Sequence, residues 1–311
     1  MEKILETLKV EINKPISVFV AATEAEWLPM RVLEFSIREN CSSPVEVNAL
    51  YTYKRDIPLP KKLKNRPRTP FSFQRFLIPE ICGYEGRAIY LDSDMLVFGD
   101  ISEIWNQPFN GNNLQTVREV NNRRFPQFSV MLLDCASLRW SIDKIVNDLD
   151  YNKLNYSDLM YHMKVARSIG KDIPSDWNSL ECYSEGQTKL LHYTDMDTQP
   201  WVSTANPHSD LWVSCLRRAL VCNFIGNEEI KREIETGHVR PSLLAQIETN
   251  QDSSLALSPS IYKLDTNFNA PYKNLDTAKS SPWTSIRSAA VDLLRRNYYR
   301  SPISRFFTRL K

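Results

Sequence analysis

Two carboxylates one residue apart, Asp92 and Asp94, interrupt an apolar run: Ala88-Ile89-Tyr90-Leu91-Asp92-Ser93-Asp94-Met95-Leu96-Val97. An ionised carboxylate taken out of water is costly unless it is paired or bound to a metal. At this spacing two hard oxygen ligands can converge on one divalent cation from a single strand end. The same tripeptide also suits a strand-terminal turn, because Asp and Ser favour turns. These residues alone leave both readings open.

The elements around them set where they sit. Ala88–Leu91 reads as a buried strand, preceded by a turn containing Gly83 and Gly86. Upstream, Ile16–Thr23 reads as a first strand, residues 24–40 as an amphipathic helix and Val45–Tyr51 as a second strand. Strand, helix, strand begins an α/β unit with a parallel sheet. Downstream, helices are expected over 71–80, 101–105, 137–149 and 156–168. Strands are expected at Leu114–Val117, Val130–Asp134 and Thr188–Tyr193. From about residue 208 the pattern turns helical (208–223, 227–236, 241–249), followed by a polar linker to about 283. The expected division is 1–205 as an α/β domain and 206–311 as a helical extension ending in a basic amphipathic tail.

Composition narrows the class. The chain has 311 residues, 42% hydrophobic and 24% charged, with a formal net charge of +2. That is an ordinary globular make-up with no overall case for nucleic-acid binding. Only 8 glycines occur, and no Gly-rich phosphate loop of the Walker or dinucleotide type is present. The six cysteines contain no Cys-x-x-Cys pair, which argues against a zinc or thioredoxin-like motif. Met1–Val10 lacks a signal-peptide core and no apolar run reaches membrane-spanning length. A cytoplasmic location is the expectation. The basic, Pro-rich stretch 54–70 reads as a solvated loop.

The run from Pro70-Phe71-Ser72-Phe73-Gln74-Arg75-Phe76 through Ala88–Val97 to Phe98-Gly99-Asp100-Ile101 resembles the donor-site core of glycosyltransferase family 8. Three later stretches agree in order: Val130–Asp134, Pro174-Ser175-Asp176-Trp177-Asn178, and Leu191-His192-Tyr193 followed by Gln199-Pro200-Trp201. The resemblance implies a GT-A fold and a UDP-sugar donor. It further implies a glycan or glycolipid acceptor, retention of anomeric configuration and a divalent cation, usually Mn2+ (or Mg2+).

Residue by residue, it implies Asp92, Asp94 and His192 as metal ligands; an O,O,N donor set suits manganese. It implies donor contacts from Ala21, Ala22 and Thr23 at the end of the first strand, and from Arg75, Asp92, Ser93, Gln127, Asp134 and Gln199. Asp158 falls near a position where the family often carries a catalytic carboxylate. Where the family often has a Lys in its phosphate loop, this chain has Gln199. Two rival classes stay open: a non-catalytic sugar-binding protein of the same fold, and a sugar-phosphate nucleotidyltransferase. Segment 285–311 sets seven Lys or Arg among Leu, Ile and Phe residues, a pattern suited to peripheral contact with an anionic membrane.

Overall fold

Strand formation follows the apolar, β-branched runs. In the computed structural model, which describes residues 14–118 and 128–271, the elements run β1 (Ile16–Ala21), α1 (Trp27–Asn40), β2 (Val45–Ala49), α2 (Ile78–Ile81), β3 (Arg87–Asp92), β4 (Met95–Val97) and α3 (Ser102–Trp105). They continue with β5 (Leu114–Val117), β6 (Val130–Asp134), α4 (Ile142–Asp150), α5 (Tyr156–Met160), β7 (Ile169–Ile173), β8 (Ser179–Leu180) and β9 (Leu190–His192). The helices α6 (Ser209–Val221), α7 (Asn227–Glu235), α8 (Ser242–Glu248) and α9 (Pro259–Tyr262) follow. Two compact units divide the chain at residue 268, and these elements all belong to the first. Gln127 and the basic segment 285–311 lie outside the described residues.

The main sheet has the order β2-β1-β3-β6-β5-β7. β1 is parallel to both neighbours, and β5 to β7; β6 runs antiparallel to β3 and β5. Five strands therefore point one way and β6 alone is reversed. This is a mainly parallel sheet in a mixed α/β fold. Its strands are nearly all buried, as a sheet covered on both faces requires.

One face buries Phe19, Tyr90, Met131 and Leu133 against Phe73, Phe76, Trp140 and Leu149. The other buries Val18, Val20, Ile89 and Leu132 against Met30, Leu33 and Ile37 of α1. The opposite side of α1, through Leu28, Val32 and Phe35, shares a third cluster with Trp212, Leu216, Ile230 and Leu243 of the later helices. A helix with buried residues all round its circumference, as α1 has, joins two layers.

A second, three-stranded sheet has the order β4-β9-β8. β4 and β9 are antiparallel, with Met95 opposite His192. The short segment Asp92-Ser93-Asp94 is where the chain passes from the first sheet to the second.

Three expectations differ in detail. The helix expected over 156–168 ends at Met160, and Met163 adopts a left-handed backbone with φ of 45°. The helix expected from 137 starts at Ile142, capped by the Ser141 hydroxyl, which accepts the Lys144 N–H. β7 is unanticipated: Ile169-Gly170-Lys171-Asp172-Ile173 buries only Gly170 and Ile173 and so carries no alternating signal.

Candidate functional site

The site is built by two strand pairings. Parallel pairing of β1 with β3 places Ala21 beside Asp92, at the carboxyl ends of both strands. Antiparallel pairing of β4 with β9 brings His192 next to Asp94, and the Tyr193 N–H donates to Asp94 O at 2.8 Å. Asp92, Asp94 and His192 thus offer ligand atoms that all lie within 4.8 Å of one another.

Each of the three is held by neighbours. Asp92 Oδ1 accepts from the Tyr90 hydroxyl and lies 3.4 Å from the Arg75 guanidinium. Burial pushes the Tyr90 phenol well above its ordinary value, so it stays a donor. Arg75 is itself buried, donating to Ser72 O and Phe128 O, with its guanidinium 4.5 Å from the Tyr90 ring centre. Asp94 Oδ2 accepts from Gln199 Nε2 at 3.1 Å, and the same amide donates to Tyr193 O. His192 is 3% exposed. Its Nδ1 lies 2.9 Å from Asn178 Oδ1, and its Nε2 lies 3.0 Å from Asp94 Oδ1.

That last contact tests the fit of a metal. Asn178 Oδ1 is an acceptor, so Nδ1 carries a proton, and whenever the ring is neutral its Nε2 lone pair faces Asp94 Oδ1. Asp94 Oδ1 is buried and otherwise lacks a donor. Two lone-pair atoms facing each other at 3.0 Å require a cation between them, either a proton or a metal ion. An imidazole whose second nitrogen is fixed by a side-chain oxygen is the common arrangement for a metal-ligating His. Burial alone would lower the pKa of His192, but the Asp94 carboxylate, then Asp92 and Glu181, outweigh it and raise it. The residues fit a divalent cation.

A cleft of about 260 Å³ opens over these groups. Arg75, Asp92, Ser93, Asp94, His192 and Gln199 line it, together with Glu26, Arg68, Ser129, Tyr156, Tyr161 and Trp201, among others. Glu26, Arg68, Tyr156 and Tyr161 were not anticipated from the sequence. The Arg68 guanidinium lies 4.7 Å from the Tyr156 ring centre and 5.3 Å from that of Tyr161. The Glu26 carboxylate accepts the Thr23 N–H at 2.6 Å. Burial raises its pKa, against the hydrogen bonds from Thr23, and Asp94 adds to the rise. Gln74 lies in the run Pro70–Phe76 that resembles the family. Its amide pairs with both the C=O and N–H of Ala22, which ties the end of β1 to the segment carrying Arg75.

The remaining expected residues sit as follows. Ala21 and Ala22 are buried at the end of β1, and Thr23 forms a capping turn with Glu26. Asp134 lies opposite Arg87, at the far end of the sheet from Asp92, because β6 is reversed. Asp158 does not line the cleft. It caps α5 reciprocally with Asn155 and pairs with Lys164, which lowers its pKa. Trp27 packs against the third cluster with Arg232 over its ring.

Comparison with known proteins follows the same lines. Residues 33–142 match the family model described as Glycosyl transferase family 8. Over 97 residues the chain is 36% identical to Protein CDI of Arabidopsis thaliana, a span of 30% of this chain and 36% of that protein. The galactosyltransferase LgtC, crystallised with donor and acceptor sugar analogues, is matched over 100% of its length and 70% of this chain, with a TM-score of 0.50 at 11% identity. GlyE of Streptococcus pneumoniae TIGR4 is matched over 60% of its length and 65% of this chain, with a TM-score of 0.46 at 17% identity. The chain thus spans about a third of the curated relative it matches and about three fifths of GlyE. The fold is a GT-A fold, and the match to the glycosyltransferase family 8 model covers residues 33–142.

Proposed function

We propose that the chain is a metal-dependent, retaining glycosyltransferase that moves a hexose from a UDP-sugar to a glycan or glycolipid acceptor. The observation that carries the reading is the meeting of Asp92, Asp94 and His192, with the buried Asp94 Oδ1 3.0 Å from the His192 ring nitrogen. A divalent ion held by these three residues, Mn2+ or Mg2+, would supply positive charge to the diphosphate leaving group.

The protein's own residues do the rest. Tyr90 and Arg75 fix the Asp92 carboxylate, Gln199 fixes that of Asp94, and Asn178 fixes the imidazole. Ligands held this way need little reorganisation when charge develops, the basis of electrostatic preorganisation. Ser93 and Ser129 offer hydroxyls along the cleft wall. Ala21, Ala22 and Thr23 would meet the nucleoside, next to the Glu26 carboxylate. Arg68 and Arg75 are the cations of the cleft lining. Arg75 holds Asp92, and Arg68 lies over the Tyr156 and Tyr161 rings; both would bring positive charge to a diphosphate in the cleft.

The reading is tested by calorimetric titration of UDP-glucose and UDP-galactose with and without Mn2+, followed by turnover measurements. Mn2+-dependent binding to the wild type that is lost in Asp94→Ala supports it. Donor binding that needs no metal and survives in Asp94→Ala rejects it. The specific rival is a sugar-binding protein without turnover, favoured by a neutral Gln199 bonded to Asp94 where the family often carries a Lys. Metal-dependent donor binding with no hydrolysis or transfer would select that rival.

A further inference from the structure

The basic loop 54–70 does more than solvate charge. Among the described residues, several of the most exposed large apolar side chains belong to this loop and to the segment it is stitched to: Leu59 at 58%, Leu63 at 76% and Tyr151 at 74% exposure. The stitching is specific. The Lys61 N–H donates to Asp150 Oδ1 at 2.8 Å, the Lys62 ammonium to Asn152 Oδ1, and Asn65 Nδ2 to Leu149 O at 3.0 Å. Arg66 Nε closes the loop onto Pro60 O. Asn65 is buried, and Pro58, Pro60 and Pro67 fix φ at three more positions. Leu59, Leu63 and Tyr151 are therefore presented to water on an ordered platform. One exposed Leu needs no explanation; a local group of apolar side chains does.

The charge around the group is one-sided. Residues 54–68 contain seven Lys or Arg and a single Asp. The carboxylates on the adjoining helix α4 are engaged: Asp143 with Arg55, Asp148 with Lys144 and Lys153, and Asp150 with the Lys61 backbone. Lys61 and Lys64 remain exposed beside Leu63. Exposed apolar side chains beside long-stemmed cations match the interface of an anionic bilayer: Leu and Tyr enter the headgroup boundary and the ammonium groups meet lipid phosphates.

We infer that this loop and the segment it is stitched to, through Leu59, Leu63 and Tyr151 with Lys61 and Lys64, dock the protein on an anionic membrane surface. The docking segment is distinct from the tail 285–311. It also adjoins the cleft: Arg68 and Thr69, a few residues on, line the cleft, and Asn65 Oδ1 accepts the N–H of Tyr156, another lining residue. A docking segment joined this closely to the cleft lining suits an acceptor carried on a lipid. That last clause rests on the glycosyltransferase reading; the docking itself does not.

The test is vesicle co-sedimentation of the full chain, without nucleotide sugar. One vesicle set is phosphatidylcholine; the other has equal parts phosphatidylcholine and phosphatidylglycerol. The wild type should bind the anionic vesicles and not the neutral ones. Leu63→Ser/Tyr151→Ser and Lys61→Glu/Lys64→Glu should each weaken partitioning by about tenfold or more. Both should keep the wild-type melting temperature and the wild-type rate on soluble donor, since none of the four residues is buried or lines the cleft. Equal binding by both variants, equal binding to neutral vesicles, or no binding by the wild type overturns the inference. Intact vesicle binding with no donor turnover would reject the enzymatic reading alone.

Discussion

Replacing Asn178 with Ala tests the logic of the site without touching a ligand. Asn178 holds the Nδ1 side of His192 at 2.9 Å, and His192 is 3% exposed. The substitution deletes one hydrogen bond to a buried ring and leaves its N–H without a partner. A hydrogen bond contributes about 0.5–1.5 kcal/mol net, and an orphaned buried donor costs about 1–3 kcal/mol. The imidazole is then free to take the other tautomer, with its proton on the nitrogen that faces Asp94. Loss of such an outer partner typically lowers metal affinity about 10–100-fold. The assay is titration calorimetry of Mn2+ into wild type, Asn178→Ala and Asn178→Asp. The Ala variant should bind Mn2+ at least about tenfold more weakly, while Asp, which keeps an oxygen acceptor, should retain most of the affinity. Wild-type affinity in Asn178→Ala would refute the reasoning, because His192 would then not need its tautomer fixed.

The raised pKa of His192 gives a pH prediction. In the metal-free protein, a His whose folded value exceeds its ordinary 6.5 contributes stability that is fully present below the unfolded value and fades as pH rises through the folded one. The metal-free melting temperature should carry a falling component across that window, and Mn2+ should raise it most at the alkaline side, where the competing proton has left. Arg240 is fully buried, its guanidinium bonded to Pro200 O, Ser242 and Gln246, with burial lowering its pKa to about 10. Arg240→Leu should cost about 2–4 kcal/mol in urea unfolding and loosen the Gln199-Pro200-Trp201 segment. Gly170→Ala should cost about 1–3 kcal/mol, since its Cβ would fall 2.0 Å from Gln115 Oε1. A Gly170→Ala protein as stable as the wild type would show that β5 and β7 are less tightly packed than described.

Much of this was legible from residue types. The apolar strands and the switch to acidic residues at Asp92 were readable, because burial demands the first and desolvation makes the second conspicuous. Strand direction was not. The apolar pattern of Val130–Asp134 is the same whichever way β6 runs, so Asp134 could be placed at a strand end but not at which end of the sheet. Asp158 illustrates a second limit: a carboxylate three residues after Asn155 serves a helix cap as readily as a cleft. The supporting groups, Asn178, Gln74 and Tyr90, act through side-chain directions set only once distant strands have paired. Tyr161 joins the cleft lining just where the chain leaves the helix after Met160, which periodicity alone would have continued.

The hand-over at Asp92-Ser93-Asp94 has a consequence for the order of assembly. Asp92 belongs to the six-stranded sheet, whereas Asp94 meets His192 only across the β4–β9 pairing, nearly a hundred residues apart in sequence. A growing or refolding chain can finish β1, β2 and β3 and still lack a closed ligand set. Closing so long a loop is among the slower steps of folding. On the proposed function, cation capture would therefore be a late event, and an ion seated there would clasp the two sheets after each has formed. A manganese signal followed during refolding would report the joining of the sheets rather than the formation of either one.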